Sequence, residues 1–167
     1  DRASQLIAAQ AIAQNTKKIA LASTGNAGAA MSCAGAAYGL DIILFVPETA
    51  PINKLMQSVL YGATVVPVKG TYDDAFLLSI EYTKNFGGIN RNTAYNPMTI
   101  EGKKSISIEL FEQLGRSIPD VVYVPVGDGC IISGVYKGFY DLLCAGLISK
   151  IPHIVCAQSE QSNAIRQ

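Results

Sequence analysis

Hydrophobic and polar positions alternate between two patterns along the chain. Short apolar runs predict strands at 18–22, 41–46, 64–68, 120–126 and 153–157, with a weaker strand at 89–95. Helical spacing predicts helices over 3–15, 27–38, 52–60, 71–84, 99–114 and 131–145. Strands and helices alternate, and most strands are apolar on both faces. This order is typical of the α/β class, with open parallel sheets that carry helices on both faces.

Composition limits the classes of partner. The chain has 167 residues, which suits one average domain or two small lobes, and its formal net charge is +0. No basic stripe interleaved with aromatic residues occurs, so we expect no nucleic-acid partner and no binding to an anionic membrane surface. The longest apolar runs are far too short to span a bilayer. A small-molecule ligand is the partner that these features favour.

The cysteines are scattered. Cys33, Cys130, Cys144 and Cys156 form no Cys-x-x-Cys pair, and His153 is the only histidine. A zinc site needs clustered ligands, so no metal site is expected. The pattern favours free, buried thiols in a reducing cytoplasm.

Two junctions carry the candidate chemistry. The run Ser23–Gly28 joins the strand at 18–22 to a helix of small residues, and Gly127-Asp128-Gly129 joins the strand at 120–126 to another helix. A strand followed by such a turn and a helix directs backbone N–H groups towards an anion. Two such turns suggest a ligand with two anionic ends. Ordinary turn and N-cap chemistry is the alternative explanation for both.

Further segments extend this pattern along nearly the whole chain. They are Val46-Pro47-Glu48, Tyr61-Gly62-Ala63, Gly70 to Ala75, Asn96-Pro97 with Ile100-Glu101-Gly102, and Pro125 to Gly129. Together with Ser23–Gly28 they resemble threonine synthases, within the fold-type II pyridoxal-phosphate enzymes. Several motifs in one chain are far more specific than a lone glycine motif.

The resemblance implies a tryptophan-synthase-β-like architecture of two lobes, incomplete in this chain. It assigns residues 16–95 to the small lobe, and residues 1–15 and 96–167 to part of the larger, cofactor-binding lobe. It also implies pyridoxal 5'-phosphate as cofactor, an amino acid as substrate, a homodimeric parent protein and a cytoplasmic location.

Site residues follow from the same resemblance. The cofactor phosphate is expected at Gly127, Asp128, Gly129, Cys130 and Ile131, and the ring hydroxyl of the cofactor at Asn26. The substrate is expected at Ser23, Thr24, Gly25, Ala27 and Thr99. A helix N-terminus would receive the α-carboxylate through charge-assisted hydrogen bonds.

Three positions depart from the family pattern. Cys130-Ile131 stands where threonine synthases usually carry Gly-Asn, and Thr99 stands where they carry an arginine for the substrate phosphate. The family's lysine motif ends in Lys-Asp-Arg, and this chain opens with Asp1-Arg2. The resemblance therefore places the Schiff-base lysine just before Asp1, and no catalytic residue is expected within a chain that we interpret as a fragment.

These observations favour a threonine synthase-like enzyme, which converts O-phosphohomoserine to threonine by γ-elimination and β-addition of water. The substitution at Thr99 leaves open a threonine or serine dehydratase-like lyase. The change at Cys130-Ile131 leaves open a non-catalytic binding module on the same scaffold. A dinucleotide-binding module is weaker, because no Gly-x-Gly-x-x-Gly follows the first strand.

Overall fold

A computed structural model describes residues 1–159, in which helices and strands alternate as predicted. The helices are α1 (Arg2–Ala13), α2 (Asn26–Tyr38), α3 (Ile52–Leu60), α4 (Tyr72–Phe86), α5 (Met98–Gln113) and α6 (Cys130–Cys144). The strands are β1 (Lys18–Ala22), β2 (Asp41–Pro47), β3 (Thr64–Val68), β4 (Ile89–Asn90), β5 (Val121–Pro125) and β6 (His153–Ala157).

The first four strands form one parallel sheet in the order β3-β2-β1-β4. In its centre Ile19 pairs with Ile42, and Ile43 of the same strand pairs with Thr64. The predicted parallel arrangement of the strands at 18–22, 41–46 and 64–68 is confirmed.

Helices cover both faces of this sheet. The ideal Cβ positions of Gly28 and Gly35 in α2 fall within 3.3 Å of Leu44 and 2.3 Å of Ile42, respectively. Phe45 points the other way, because successive side chains of a strand alternate, and packs in a cluster with Ala75 of α4. The predicted helices on both faces are therefore confirmed.

The strand predicted at 89–95 is wrong beyond Asn90. The backbone N–H of Asn92 donates to Asn90 Oδ1 at 2.9 Å, and Ala94 has a φ of 69°. Asparagine side chains that bond to the nearby backbone compete with a strand ladder, so the chain turns here.

The remaining strands, β5 and β6, pair in parallel as a two-stranded sheet. Helix α6 packs on one face of it through Val135 and Phe139, which cluster with Val124 and with Phe111 of α5. On the other face Tyr123 is 74% exposed. An apolar pattern on both faces predicts a strand covered on both sides, but among the described residues only one face of β5 meets a helix.

Contacts divide the chain into two compact units. The first comprises Asp1 and Ala3–Asn96, and the second comprises Arg2 and the described residues from Pro97 onward. The lobe assignments implied by the resemblance, including that of residues 1–15, stay predictions.

All four cysteines are free thiols, but only Cys130 is buried. The expectation of buried thiols is wrong for Cys33, Cys144 and Cys156. Cys33 lies beside, rather than within, the buried stripe of α2, and Cys144 is the last residue of α6. Within residues 1–159, every helix is too short or too polar to cross a lipid bilayer.

Candidate functional site

The first candidate turn follows β1 and is held by Ser23. Its Oγ accepts hydrogen bonds from the backbone N–H groups of Gly28 at 3.0 Å and of Gly25 at 3.3 Å. A serine oxygen that takes up N–H groups at the start of a helix acts as a cap. The alternative explanation from turn chemistry thus applies to Ser23, whose Oγ shapes the turn.

The rest of this turn keeps its polar groups available. The side chains of Thr24 and Asn26 form no hydrogen bond within residues 1–159, and Asn26 is exposed. Asn26 is the first residue of α2, and Gly25 precedes it as the N-cap residue. Asn26 is therefore not the N-cap residue of α2, so N-capping does not explain why an asparagine stands at this position.

A cavity lies at the N-terminal half of α2. It has a volume of about 490 Å³ and is lined by Asn26, Cys33, Gln57 and Tyr61, among others. This volume is within the range of small-molecule sites, and its lining mixes polar and apolar groups. The cavity gives Asn26 a space in which its amide can meet a ligand.

The second candidate turn follows β5. Asp128 Oδ1 accepts a hydrogen bond from the backbone N–H of Cys130 at 3.0 Å, so its carboxylate supports the start of α6. The backbone N–H groups of Gly127, Asp128 and Gly129 meet no acceptor in the described part of the chain. Gly129 has a φ of 82°, a conformation that glycine adopts without strain.

This second turn fits a phosphate group. A Cβ added at Gly127 would meet no atom within 4 Å, so the backbone is open to a ligand there. Helix α6 runs for 15 residues, and its dipole places partial positive charge at its start. Three unpaired N–H groups before a helix N-terminus are the donors that bind phosphate in α/β proteins.

The other predicted residues of this unit differ in exposure. Cys130 is buried, whereas Ile131 is 41% exposed and contributes only its backbone to the turn. Thr99 lies near the start of α5 and is completely buried. The structure thus brings Gly127–Ile131 into one turn of the second unit, while Ser23–Ala27 forms one turn of the first.

Three functional candidates were missed by the sequence patterns. Tyr72, Arg91 and Asn92 come together at the end of β1, where the Tyr72 hydroxyl donates to Ala22 O at 3.1 Å and Asn92 Oδ1 accepts from Ala22 N–H at 2.7 Å. By sequence alone, Tyr72 has the features of an ordinary residue at a helix start. The parallel pairing of β1 with β4 brings Arg91 and Asn92 to this point, and the packing of α4 against β1 brings Tyr72.

Comparison with known proteins assigns the family. The family model described as "Pyridoxal-phosphate dependent enzyme" matches residues 1–167. The chain belongs to this family of pyridoxal-phosphate-dependent enzymes. Among relatives, the threonine synthase of Methanocaldococcus jannaschii is 35% identical over 148 residues, which are 88% of this chain and 36% of that protein.

Solved structures share the fold. The structure of O-ureido-L-serine synthase has a TM-score of 0.81 at 16% identity. The match covers 99% of this chain and 53% of the synthase chain. The structure of the processed form of threonine deaminase isoform 2 from Solanum lycopersicum has a TM-score of 0.76 at 23% identity. The match covers 97% of this chain and 47% of that chain. The chain thus has the fold-type II architecture of this family, and it spans about a third to a half of the length of these proteins.

Proposed function

We propose that this chain forms part of a threonine synthase-like enzyme that converts O-phosphohomoserine and water to threonine and inorganic phosphate. The turn at Gly127–Ile131 carries this proposal, because the N–H groups of Gly127, Asp128 and Gly129 meet no acceptor within residues 1–159 and the backbone at Gly127 is open, in a chain of a pyridoxal-phosphate family. The relative named threonine synthase supports the reaction.

In this proposal the second turn holds the phosphate of the cofactor. The N–H groups of Gly127, Asp128 and Gly129 donate to phosphate oxygens, and the dipole of α6 stabilises their charge. Cys130 contributes less to phosphate binding, because its backbone N–H donates a hydrogen bond to Asp128. When bound, the cofactor supplies an electron sink for bonds at the substrate α-carbon.

The first turn orients the reacting groups. Asn26 donates to the ring hydroxyl of the cofactor, and Thr24 with the backbone N–H of Ala27 binds the α-carboxylate of the substrate. Ser23 holds this turn in shape through its bonds to Gly25 and Gly28. A preformed set of donors lowers the entropy that binding would otherwise cost.

From the same resemblance we propose that a lysine directly before Asp1 moves the proton at the substrate α-carbon. We also propose that the complete protein is a homodimer in the cytoplasm. Borohydride reduction of the complete protein with its cofactor, followed by peptide mapping, tests the lysine. Labelling at high occupancy of one lysine within residues 1–167 would contradict this assignment.

A second candidate is a dehydratase-like lyase that acts on threonine or serine. Thr99 favours it, since a completely buried, uncharged side chain stands where threonine synthases carry an arginine. The likeness to threonine deaminase is compatible with this reaction.

Two substrates separate the candidates. The complete protein, including any residues that precede Asp1, is loaded with cofactor, and its visible absorbance band is recorded. It is then given O-phosphohomoserine or threonine, and inorganic phosphate, threonine and 2-oxoacid are measured.

Equal release of phosphate and threonine from O-phosphohomoserine is the expected result. If threonine instead yields a 2-oxoacid, and O-phosphohomoserine releases no phosphate, the threonine synthase proposal is wrong and the dehydratase-like lyase takes its place. A complete protein that shows no cofactor band and no turnover would favour the non-catalytic binding module.

A further inference from the structure

Arg91 is a buried cation at the carboxyl edge of the four-stranded sheet. It directly follows β4, and its backbone N–H donates to Ala20 O at 2.8 Å, which continues the parallel pairing with β1. Only 5% of the residue is accessible to solvent. Ligands of open α/β sheets bind at this edge, outside the carboxyl ends of the strands.

Among the described residues, the guanidinium group of Arg91 meets no counter-ion. Nη1 donates to Thr93 Oγ1 at 2.9 Å, while the buried Nε has no hydrogen-bond partner. Within residues 1–159, no carboxylate forms an ion pair with Arg91. Burial lowers the pKa of Arg91, and the electrostatic effect of Tyr72 only partly opposes this.

The residues on either side of Arg91 are fully engaged. Asn92 Nδ2 donates to Ser79 Oγ at 2.7 Å, and Asn90 Nδ2 donates to Ser79 O at 3.0 Å. Asn92 Oδ1 also accepts the N–H of Ala22, the residue that precedes the first turn. A paired polar network therefore holds the backbone of Arg91 next to the turn that is proposed to bind substrate.

An unpaired buried charge is costly in a folded protein. Removing a guanidinium from water is offset only by a partner of opposite charge or by further hydrogen bonds. Its planar set of donors matches the oxygens of phosphate and carboxylate groups. The position of this cation, together with its unpaired Nε, indicates that an anionic ligand completes the site.

We propose that Arg91 binds a second anionic group of the amino-acid substrate, a phosphate or a carboxylate, and so determines substrate specificity. This inference rests on the proposed function, in which the first turn binds the α-carboxylate. It places a cation in the first unit, whereas the family's usual arginine position is the uncharged Thr99 of the second.

The test uses the complete protein with bound cofactor and ligands that have no leaving group. One is the phosphonate analogue of O-phosphohomoserine, with a methylene in place of the bridging oxygen. The second has a carboxylate instead of the phosphonate, and the third lacks any second anion. Dissociation constants are measured by calorimetry for the wild type, Arg91→Met, Arg91→Lys and the exposed control Arg116→Met.

Arg91→Met is expected to weaken binding of the preferred anionic ligand by about 10- to 100-fold, the range for a hydrogen bond to a charged group. Binding of the ligand without a second anion should change by less than about 2-fold, and Arg116→Met should behave like the wild type. Whichever anionic ligand binds the wild type more tightly identifies the group. Arg91→Lys keeps the charge but not the planar donors, and is expected to be intermediate.

Thermal unfolding supplies a readout that does not need the cofactor. Inorganic phosphate should raise the Tm of the wild-type protein by more than that of Arg91→Met, since the turn at Gly127–Gly129 can bind phosphate in both, and without phosphate this variant should be as stable as the wild type or more so. Unchanged affinities in Arg91→Met would overturn the proposal, as would equal losses for all three ligands. If Arg91→Met does not fold, the same comparisons are made with Arg91→Lys. If the wild-type protein shows no absorbance band of the cofactor, the proposed function is wrong. The effect of phosphate on the Tm would still test whether Arg91 binds an anion.

Discussion

The two strand–turn–helix junctions have the same order of elements but use their polar groups differently. At the first, Ser23 Oγ takes up two backbone N–H groups of its own turn. At the second, the N–H groups of Gly127, Asp128 and Gly129 stay unpaired within the described residues. The first turn is braced by Ser23 and presents the side chains of Thr24 and Asn26 together with the N–H of Ala27, whereas the second turn, held by the Asp128 bond to Cys130, offers three backbone N–H groups to an anion.

Their helices also pack differently. Gly28 and Gly35 bring α2 against side chains of β2, namely Leu44 and Ile42. Helix α6 instead approaches the backbone of α5, since a Cβ at Gly138 would lie 2.2 Å from Lys104 O. Side chains can move to relieve a close contact more easily than a helix backbone can.

The largest expected effect tests the difference in packing between α2 and α6. Gly138→Ala should lower the free energy of unfolding by about 3 kcal/mol, because a backbone carbonyl cannot give way. Gly35→Ala should cost less, about 2 kcal/mol, because its methyl group meets the side chain of Ile42 first and the backbone oxygen of Leu40 only at 3.1 Å. Urea unfolding measures both. Equal costs would show that α2 is held as tightly as α6.

The second prediction separates the roles of the two turns. Gly127→Ala should weaken pyridoxal-phosphate binding to the complete protein about 10-fold, because the methyl group enters the space of the phosphate. Gly25→Ala is the matched control: its Cβ also meets no atom within 4 Å, but it lies in the other turn. Cofactor titration followed by absorbance measures both variants. A larger loss in Gly25→Ala would reverse the assignment of the turns.

The third prediction concerns the capped turn. Ser23→Ala should lower the free energy of unfolding by about 1 kcal/mol through loss of the cap on α2. Ser133 provides the comparison in α6, where its Oγ donates back to Gly129 O at an exposed site. Ser133→Ala should be nearly neutral by urea unfolding. A cost as large as that of Ser23→Ala would mean that the start of α6 depends on a side-chain hydrogen bond as much as the start of α2 does.

The smallest effect is electrostatic and belongs to the second unit. Lys104 Nζ lies 2.8 Å from Glu101 and 2.9 Å from Asp141, bridging α5 and α6. Hydrogen bonds from Lys104 lower the pKa of both carboxyls, and its bond to Asp141 raises the pKa of Lys104. The first unit has no comparable network among its described residues.

Stability from these carboxylates is complete above their ordinary pKa of about 4 and is lost as the pH falls through the lower folded values. Stability from Lys104 is complete below about 10.4 and is lost as the pH rises through its higher folded value. Asp141→Asn should therefore cost at most about 1 kcal/mol at neutral pH, with the difference shrinking in acid. Urea unfolding across this pH range measures it, and a pH-independent cost would point to packing instead.

Most elements could be predicted because their apolar spacing is local. The strand at 64–68 and the helix at 52–60 match the structure at both ends. The strand at 89–95 could not be predicted, because the side chains of Asn90 and Asn92 bond to backbone that the spacing ignores. The two turns were found from their glycines and polar residues, and the site roles of their residues stay predictions.

By itself, the sequence determined the order of helices and strands, the α/β class, the family and its cofactor, since local periodicity and short motifs encode each of these. Only the tertiary structure decided that Ser23 Oγ binds N–H groups of its own turn, that Gly127 is open, and that Arg91 is buried with no counter-ion among the described residues. The burial of Arg91 depends on strand pairing between positions about seventy residues apart, such as Ile19 with Ile89. Burial of this kind arises from contacts between distant parts of the chain, so no local pattern can show it.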